Sequence, residues 1–247
     1  MAYLFLFAHQ DDEYGIFHCI HESVQNGHEV YCAYLTDGGC QSGRRNKESM
    51  SVLKSLGVSE KKIFYPGSEL KLHDGKLHKE YEKALKWIVQ WLSSHTHILT
   101  VYAPAWEGGH PDHDILHALA VRASGKISAS IRVMQYSLYN GCGCVGQLFR
   151  VLSPLPQNGI PVTLKIPIRN RLKFLRLCLS YSSQRKTWIG LFPFVFLHYL
   201  FRGTQSLQLG TEERLLERPH EGILYYERRK FSTWEEISGI ISKDTLI

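Results

Sequence analysis

Tyr3-Leu4-Phe5-Leu6-Phe7-Ala8 runs directly into His9-Gln10-Asp11-Asp12-Glu13. A short unbroken apolar run reads as a strand buried on both faces, as the central strands of a parallel sheet are. The acidic turn behind it suits the positive end of a helix dipole. Ile16, Ile20 and Val24 then recur every fourth residue until Asn26-Gly27 closes the helix. The alternation continues outward from this unit. Residues 29–36 read as a strand broken by Asp37-Gly38-Gly39, about 45–56 as a helix ending at Gly57, and 62–65 as a short strand. Residues 79–93 carry Tyr81, Leu85, Ile88, Val89 and Leu92 on one helical side, 97–103 form a fourth strand, and 114–123 are helical. Such alternation predicts an α/β, Rossmann-like fold, a mostly parallel sheet with helices on both faces.

The chain has 247 residues, 44% of them hydrophobic and 21% charged, with a net charge of +6. This is ordinary globular composition and excludes a disordered, collagen-like or polytopic membrane chain. The length suits one domain over 1–247, less regular from about residue 140. The mild basicity fits an anionic substrate or membrane surface and is too diffuse to argue for nucleic acid. Six scattered cysteines do not make a secreted disulfide scaffold. The first residues also lack the basic start and long apolar stretch of a signal peptide, so a cytoplasmic location is expected. Beyond residue 130, 131–139 read as a strand and 170–184 as a helix, while Pro154, Pro156, Pro161 and Pro167 mark extended connections. Residues 189–201 are aromatic and apolar, too short to cross a bilayer and interrupted by Pro193. They read either as a buried segment or active-site wall, or as a peripheral contact with a membrane or lipid-linked substrate.

Two clusters carry the chemistry, each following a predicted strand at the sheet edge where open α/β folds bind ligands. One is His9 to Glu13; the other is Gly108-Gly109-His110-Pro111-Asp112-His113-Asp114. A catalytic zinc site takes three protein ligands and leaves a fourth position for water. His9 and Asp12, three residues apart, are expected to share such an ion with His113. Asp11 then remains as the carboxylate that removes the proton of the attacking water. His110 is placed to stabilise the oxyanion or protonate the leaving amine, with Asp112 behind it as the carboxylate that orients and charges its ring. Taken singly, a histidine after a strand is most often structural, and acidic residues at a helix start are most often caps. The joint pattern of two dense His/Asp clusters points to a metal site.

Ala8-His9-Gln10-Asp11-Asp12-Glu13 resembles the AHPDDE signature of the PIG-L/LmbE deacetylases, and His110-Pro111-Asp112-His113 matches their HPDH signature. Arg45-Asn46-Lys47-Glu48 leading to Leu56-Gly57 resembles the family's R-x-x-E…LG helix, and Ser183-Gln184 its C-terminal Ser-Gln. The resemblance covers the chain to about residue 185. It implies a zinc-dependent hydrolase that removes the acetyl group from an N-acetylated amino sugar in a glycoside or glycolipid. His9, Asp12 and His113 would be the metal ligands, Asp11 the base, His110 the group assisting the oxyanion or amine, and Arg45 a substrate contact. Ferrous iron also suits two histidines and a carboxylate. Gln10 replaces the family's proline and is expected to loosen the turn. Gly108 stands where some members have a tyrosine, and Tyr65-Pro66-Gly67-Ser68 where many have an acidic residue. These departures leave open other N-acyl substrates, such as a thiol-precursor glycoside or an antibiotic, and a non-catalytic binding protein. Cys142-Gly143-Cys144 has no second pair and reads as reduced thiols. Residues 37–43 lack a phosphate-loop pattern and read as an active-site loop. Arg169, Arg171, Lys173 and Arg176 read as a solvated helix face.

Overall fold

The structure is a computed structural model and describes residues 1–244. The chain begins with β1 (Ala2–Phe7), α1 (Phe17–Gln25), β2 (Glu29–Tyr34), α2 (Ser42–Ser55), β3 (Ile63–Phe64) and α3 (Pro66–Leu70). It continues with α4 (Tyr81–Ser93), β4 (Ile98–Pro104), α5 (Pro111–Ile127) and β5 (Arg132–Tyr136). The less regular part holds a small ribbon of β6 (Tyr139–Asn140) and β7 (Arg150–Val151), then β8 (Val162–Lys165), α6 (Ile168–Cys178) and α7 (Arg185–Leu197). A π-helical turn, His198–Arg202, leads to β9 (Thr204–Leu209), α8 (Glu212–Leu215), α9 (Tyr225–Arg228) and α10 (Trp234–Asp244).

The main sheet has the order β3-β2-β1-β4-β5-β9-β8. Its first five strands are parallel, as the alternating sequence pattern predicts. β9 then joins β5 antiparallel and β8 joins β9 antiparallel, an addition that the sequence reading does not contain. Side chains alternate across β1, which explains why its whole run is apolar. Leu4 and Leu6 enter a core with Leu85 and Ile88 of α4, Leu116 and Leu119 of α5, and Ile237 of α10. Phe5 and Phe7 enter the opposite core with Ile20 of α1, Val52 and Leu53 of α2, Phe174 of α6 and Leu191 of α7. Fully burying one such side chain contributes about 1.5–3 kcal/mol. Both faces of the strand are therefore committed, and its C-terminal edge is held rigidly.

Three differences from the sequence reading lie in the second half. The strand expected over 131–139 ends at Tyr136, and Tyr139 passes into the small ribbon. The helix expected over 170–184 stops at Cys178, and Ser182–Gln184 form a separate 3-10 turn. Residues 189–201 are helical but not a buried segment. Trp188, Leu191 and Val195 turn inward, whereas Ile189, Leu200 and Phe201 are exposed. Among the described residues no helix is long and apolar enough to cross a membrane.

Candidate active site

Strand order reverses between neighbouring β1 and β4, and in open α/β sheets the crevice beyond such a switch point is where ligands bind. The turn after β1 supplies His9 to Glu13. The loop after β4 and the first turn of α5 supply His110 to Asp114. Pro111 at the start of α5 gives up no needed hydrogen bond there, and Asp112 and Asp114 face the positive end of the helix dipole. His110 caps the helix, its Nδ1 accepting the Asp112 backbone N–H at 3.2 Å. A ring nitrogen that accepts carries no proton, so the neutral ring bears its hydrogen on Nε2. Burial pushes the His110 pKa down to about 3, which keeps it neutral.

His9 is gripped on both sides of its ring. Its backbone N–H donates to Asp12 Oδ2 at 2.8 Å, fixing the turn. Its Nδ1 lies 3.2 Å from His113 Nε2 and 3.4 Å from Asp12 Oδ2, and His113 Nε2 lies 3.1 Å from Asp12 Oδ1. A tetrahedral ion with ligands at 2.0–2.2 Å spaces them about 3.3–3.6 Å apart, so the three groups lie within a few tenths of an ångström of the spacing of a divalent-cation donor set. On the other side, His9 Nε2 lies 3.1 Å from Asp112 Oδ2 and 3.4 Å from Asp74 Oδ1. Donation from Nε2 leaves the Nδ1 lone pair aimed at His113 and Asp12. One nitrogen from each of His9, His110 and His113 lies within 4.8 Å of the others, as do donor atoms of His9, Asp74 and Asp112. The second group is already used. Asp112 accepts the backbone N–H of Gly75 (2.6 Å) and of Leu77 (3.0 Å), and Asp74 accepts Nη1–H of Arg45 at 2.6 Å.

The carboxylates are tuned apart. Burial opposes ionisation of Asp12, but His113 and His9 outweigh it and hold its pKa well below the usual range. Burial pushes Asp11 up to about 6, with Arg45 pulling against it and Asp12 adding to it. In the protein without metal, burial disfavours the His9 cation, yet Asp74, Asp12 and Asp112 together raise its pKa.

His9, Asp11, Asp12, His110 and His113 are thus brought together. Asp112 is present but turned. Its carboxylate supports His9, lying 4.0 Å from His110 Nδ1, because residues 75–77 pass close enough to share it. Arg45, expected as a substrate contact, lies at the floor of the same site. It is buried, paired with Asp74 and placed 3.5 Å from Asp11 Oδ1. Gln10 does not loosen the turn, since its side-chain amide donates to the Thr36 carbonyl at 2.9 Å. Glu48 accepts the Ser183 backbone N–H at 3.0 Å, so two stretches that resemble the family meet in space. Gly108 sits at φ +67°, where a Cβ would lie 2.7 Å from Leu224 Cδ2, so a tyrosine there would be strained. The ring of Tyr139 instead packs 5.6 Å from that of His113. Sequence reasoning missed Asp74, whose pKa His9 and Arg45 lower against the effect of burial. Its only local signal is an Asp-Gly turn. Glu107 was also missed. It accepts the Leu138 and Tyr139 backbone N–H groups at 2.7 and 2.9 Å and so fixes the ribbon beside the site.

The fold and site define a Rossmann-like α/β protein with a buried His/Asp centre suited to a divalent metal. Residues 4–124 match the model of the PIG-L family, GlcNAc-PI de-N-acetylase. No curated protein is significantly similar in sequence. Among solved structures, the zinc-inhibited form of teicoplanin deacetylase Orf2 superposes with a TM-score of 0.65 at 14% identity, over 86% of this chain and 100% of that one. N,N'-diacetylchitobiose deacetylase from Pyrococcus horikoshii gives 0.58 at 18% identity, over 89% and 87%. GalB, the 4-carboxy-2-hydroxymuconate hydratase from Pseudomonas putida, gives 0.54 at 14% identity, over 90% and 99%. At these identities the likeness is one of fold.

Proposed function

We propose that the protein is a zinc-dependent hydrolase that removes the acetyl group from an N-acetylated amino sugar. A hydratase shares this fold, so the reading rests on the site and the family match. The observation that carries it is the set of His9 Nδ1, His113 Nε2 and the Asp12 carboxylate at 3.1–3.4 Å spacing, with the Asp11 carboxylate left outside it. Two imidazoles and one carboxylate suit zinc, which when bound polarises the acyl carbonyl and acidifies water. His9, Asp12 and His113 would hold it, and Asp112 and Asp74 would keep the His9 ring oriented.

The chain's own groups then divide the reaction. Asp11 takes a proton from the attacking water as the new C–O bond forms at the acetyl carbon. His110 donates from Nε2 to the carbonyl oxygen as it becomes an oxyanion. Asp11 returns its proton to the nitrogen as the C–N bond breaks, giving acetate and the free amine. Arg45 holds Asp11 ionised and in place. The six unpaired cysteines support a reducing compartment such as the cytoplasm.

The test is product analysis. The purified full chain, loaded with zinc or anaerobically with ferrous iron, is incubated with a panel of N-acetylated amino sugars. Equal release of acetate and primary amine is expected. Metal binding without release from any member of the panel would refute the reading.

A further inference from the structure

We propose that the face formed by α7, the following π-helical turn and the groove beside them docks on a bilayer containing anionic phospholipid. This is independent of the reaction assigned to the His/Asp centre. The helix keeps Trp188, Leu191 and Val195 inside while leaving Ile189 74% and Phe201 76% exposed, with Leu197 and Leu200 about half exposed between them. An apolar cluster of this kind on a surface marks an interaction site. Beside it lies a groove of about 530 Å³ lined by Phe149, Phe194, Leu197 and Phe201, with the exposed cations Arg150 and Arg202 also in its walls.

Charge selects the occupant. Between Asp114 and Glu212 the chain carries no acidic residue, and its exposed cations include Arg150 and Arg202 in the groove wall and Arg185 and Lys186 on α7. Arg185 and Lys186 stand exposed in the first turn of α7, the end where the helix dipole disfavours cations. A second copy would bring the same cationic face against itself. A phospholipid surface supplies both halves of the match, phosphates for the arginines and acyl chains for the aromatic and aliphatic side chains. Ring contacts also connect the groove to the His/Asp centre. They run from His113 to Tyr139 (5.6 Å), Tyr139 to Phe149 (6.1 Å) and Phe149 to Phe194 (5.2 Å). Docking here sets the crevice beside the membrane surface.

The experiment is flotation of the full chain with phosphatidylcholine vesicles, with and without phosphatidylglycerol. The wild type is expected to float only with the anionic vesicles, and less at high salt. The exposed pair Arg150→Gln/Arg202→Gln is expected to weaken partitioning about 30-fold. The pair Leu200→Ser/Phe201→Ser is expected to weaken it by about tenfold or more. Both variants should keep the wild-type thermal midpoint, and having two of them guards against one folding poorly. Absence of the wild type from anionic vesicles, or equal flotation of wild type and both variants, would overturn the proposal. So would a concentration-dependent dimer that Leu200→Ser/Phe201→Ser abolishes and that binds no vesicles, which would assign the face to a second copy.

Discussion

Replacing Asp112 with asparagine separates two accounts of this carboxylate. Its Oδ1 accepts from Leu77 N–H, and its Oδ2 accepts from Gly75 N–H and faces His9 Nε2. Asparagine has one oxygen and one NH2 group. Whichever way it turns, the NH2 meets a buried donor, and the better choice gives up only the Leu77 contact. One unmatched buried donor costs about 1–3 kcal/mol. In a chain of this size that lowers the unfolding temperature by roughly 2–12 °C. His9 also loses the nearer of its two anionic partners at Nε2, with Asp74 remaining at 3.4 Å, so Nδ1 becomes a poorer ligand, and loss of such a supporting group weakens metal binding by up to about 10–100-fold. Thermal unfolding and competitive metal titration read the two effects separately. If the carboxylate worked through His110 instead, the variant would bind metal as the wild type does and lose turnover alone. That result would refute the geometric reasoning.

Asp11→Asn is expected to retain metal, checked by elemental analysis, and to lose about two to four orders of magnitude in kcat; full turnover would remove Asp11 as the base. Arg45 lowers the Asp11 pKa, so Arg45→Met should move the acidic limb of the pH–rate profile above its wild-type position. A base must be ionised to act, so activity in the variant would disappear earlier as pH falls. An unmoved limb would show that Arg45 does not act on Asp11. Gly109→Ala places a Cβ 2.0 Å from the Tyr139 carbonyl oxygen, and the backbone before His110 must shift. A loss of about 1–3 kcal/mol or more is expected in chemical denaturation, with weaker metal binding; unchanged stability would contradict the packing described.

The parallel half of the sheet was legible because strands buried on both faces are written as apolar runs. Leu4 and Leu6 serve one core while Phe5 and Phe7 serve the other. The antiparallel addition was not legible, since β9 is Thr204-Gln205-Ser206-Leu207-Gln208-Leu209 and its glutamines look like surface residues. Both are buried for tertiary reasons. Gln205 accepts from the backbone N–H groups of His18 and Cys19, and Gln208 donates to the Leu155 and Gly159 carbonyls. The His/Asp clusters could be read because each follows a strand end, which the sheet order makes neighbours. Asp74 and the turn of Asp112 toward His9 depend on where residues 72–77 pass over the crevice. No local pattern encodes that path. The exposure of the apolar stretch 189–201 was likewise hidden, because composition does not say which side of a helix finds a core.

The bond from Ser183 to Glu48 joins the family-matched half of the chain to the remainder. Every proposed ligand lies before residue 124, yet the helix bearing Arg45 is moored by a residue far beyond it. Sequence drift in the second half can therefore adjust how firmly Asp11 is restrained while sparing all the donor atoms. Two such proteins with identical signatures need not share a working pH.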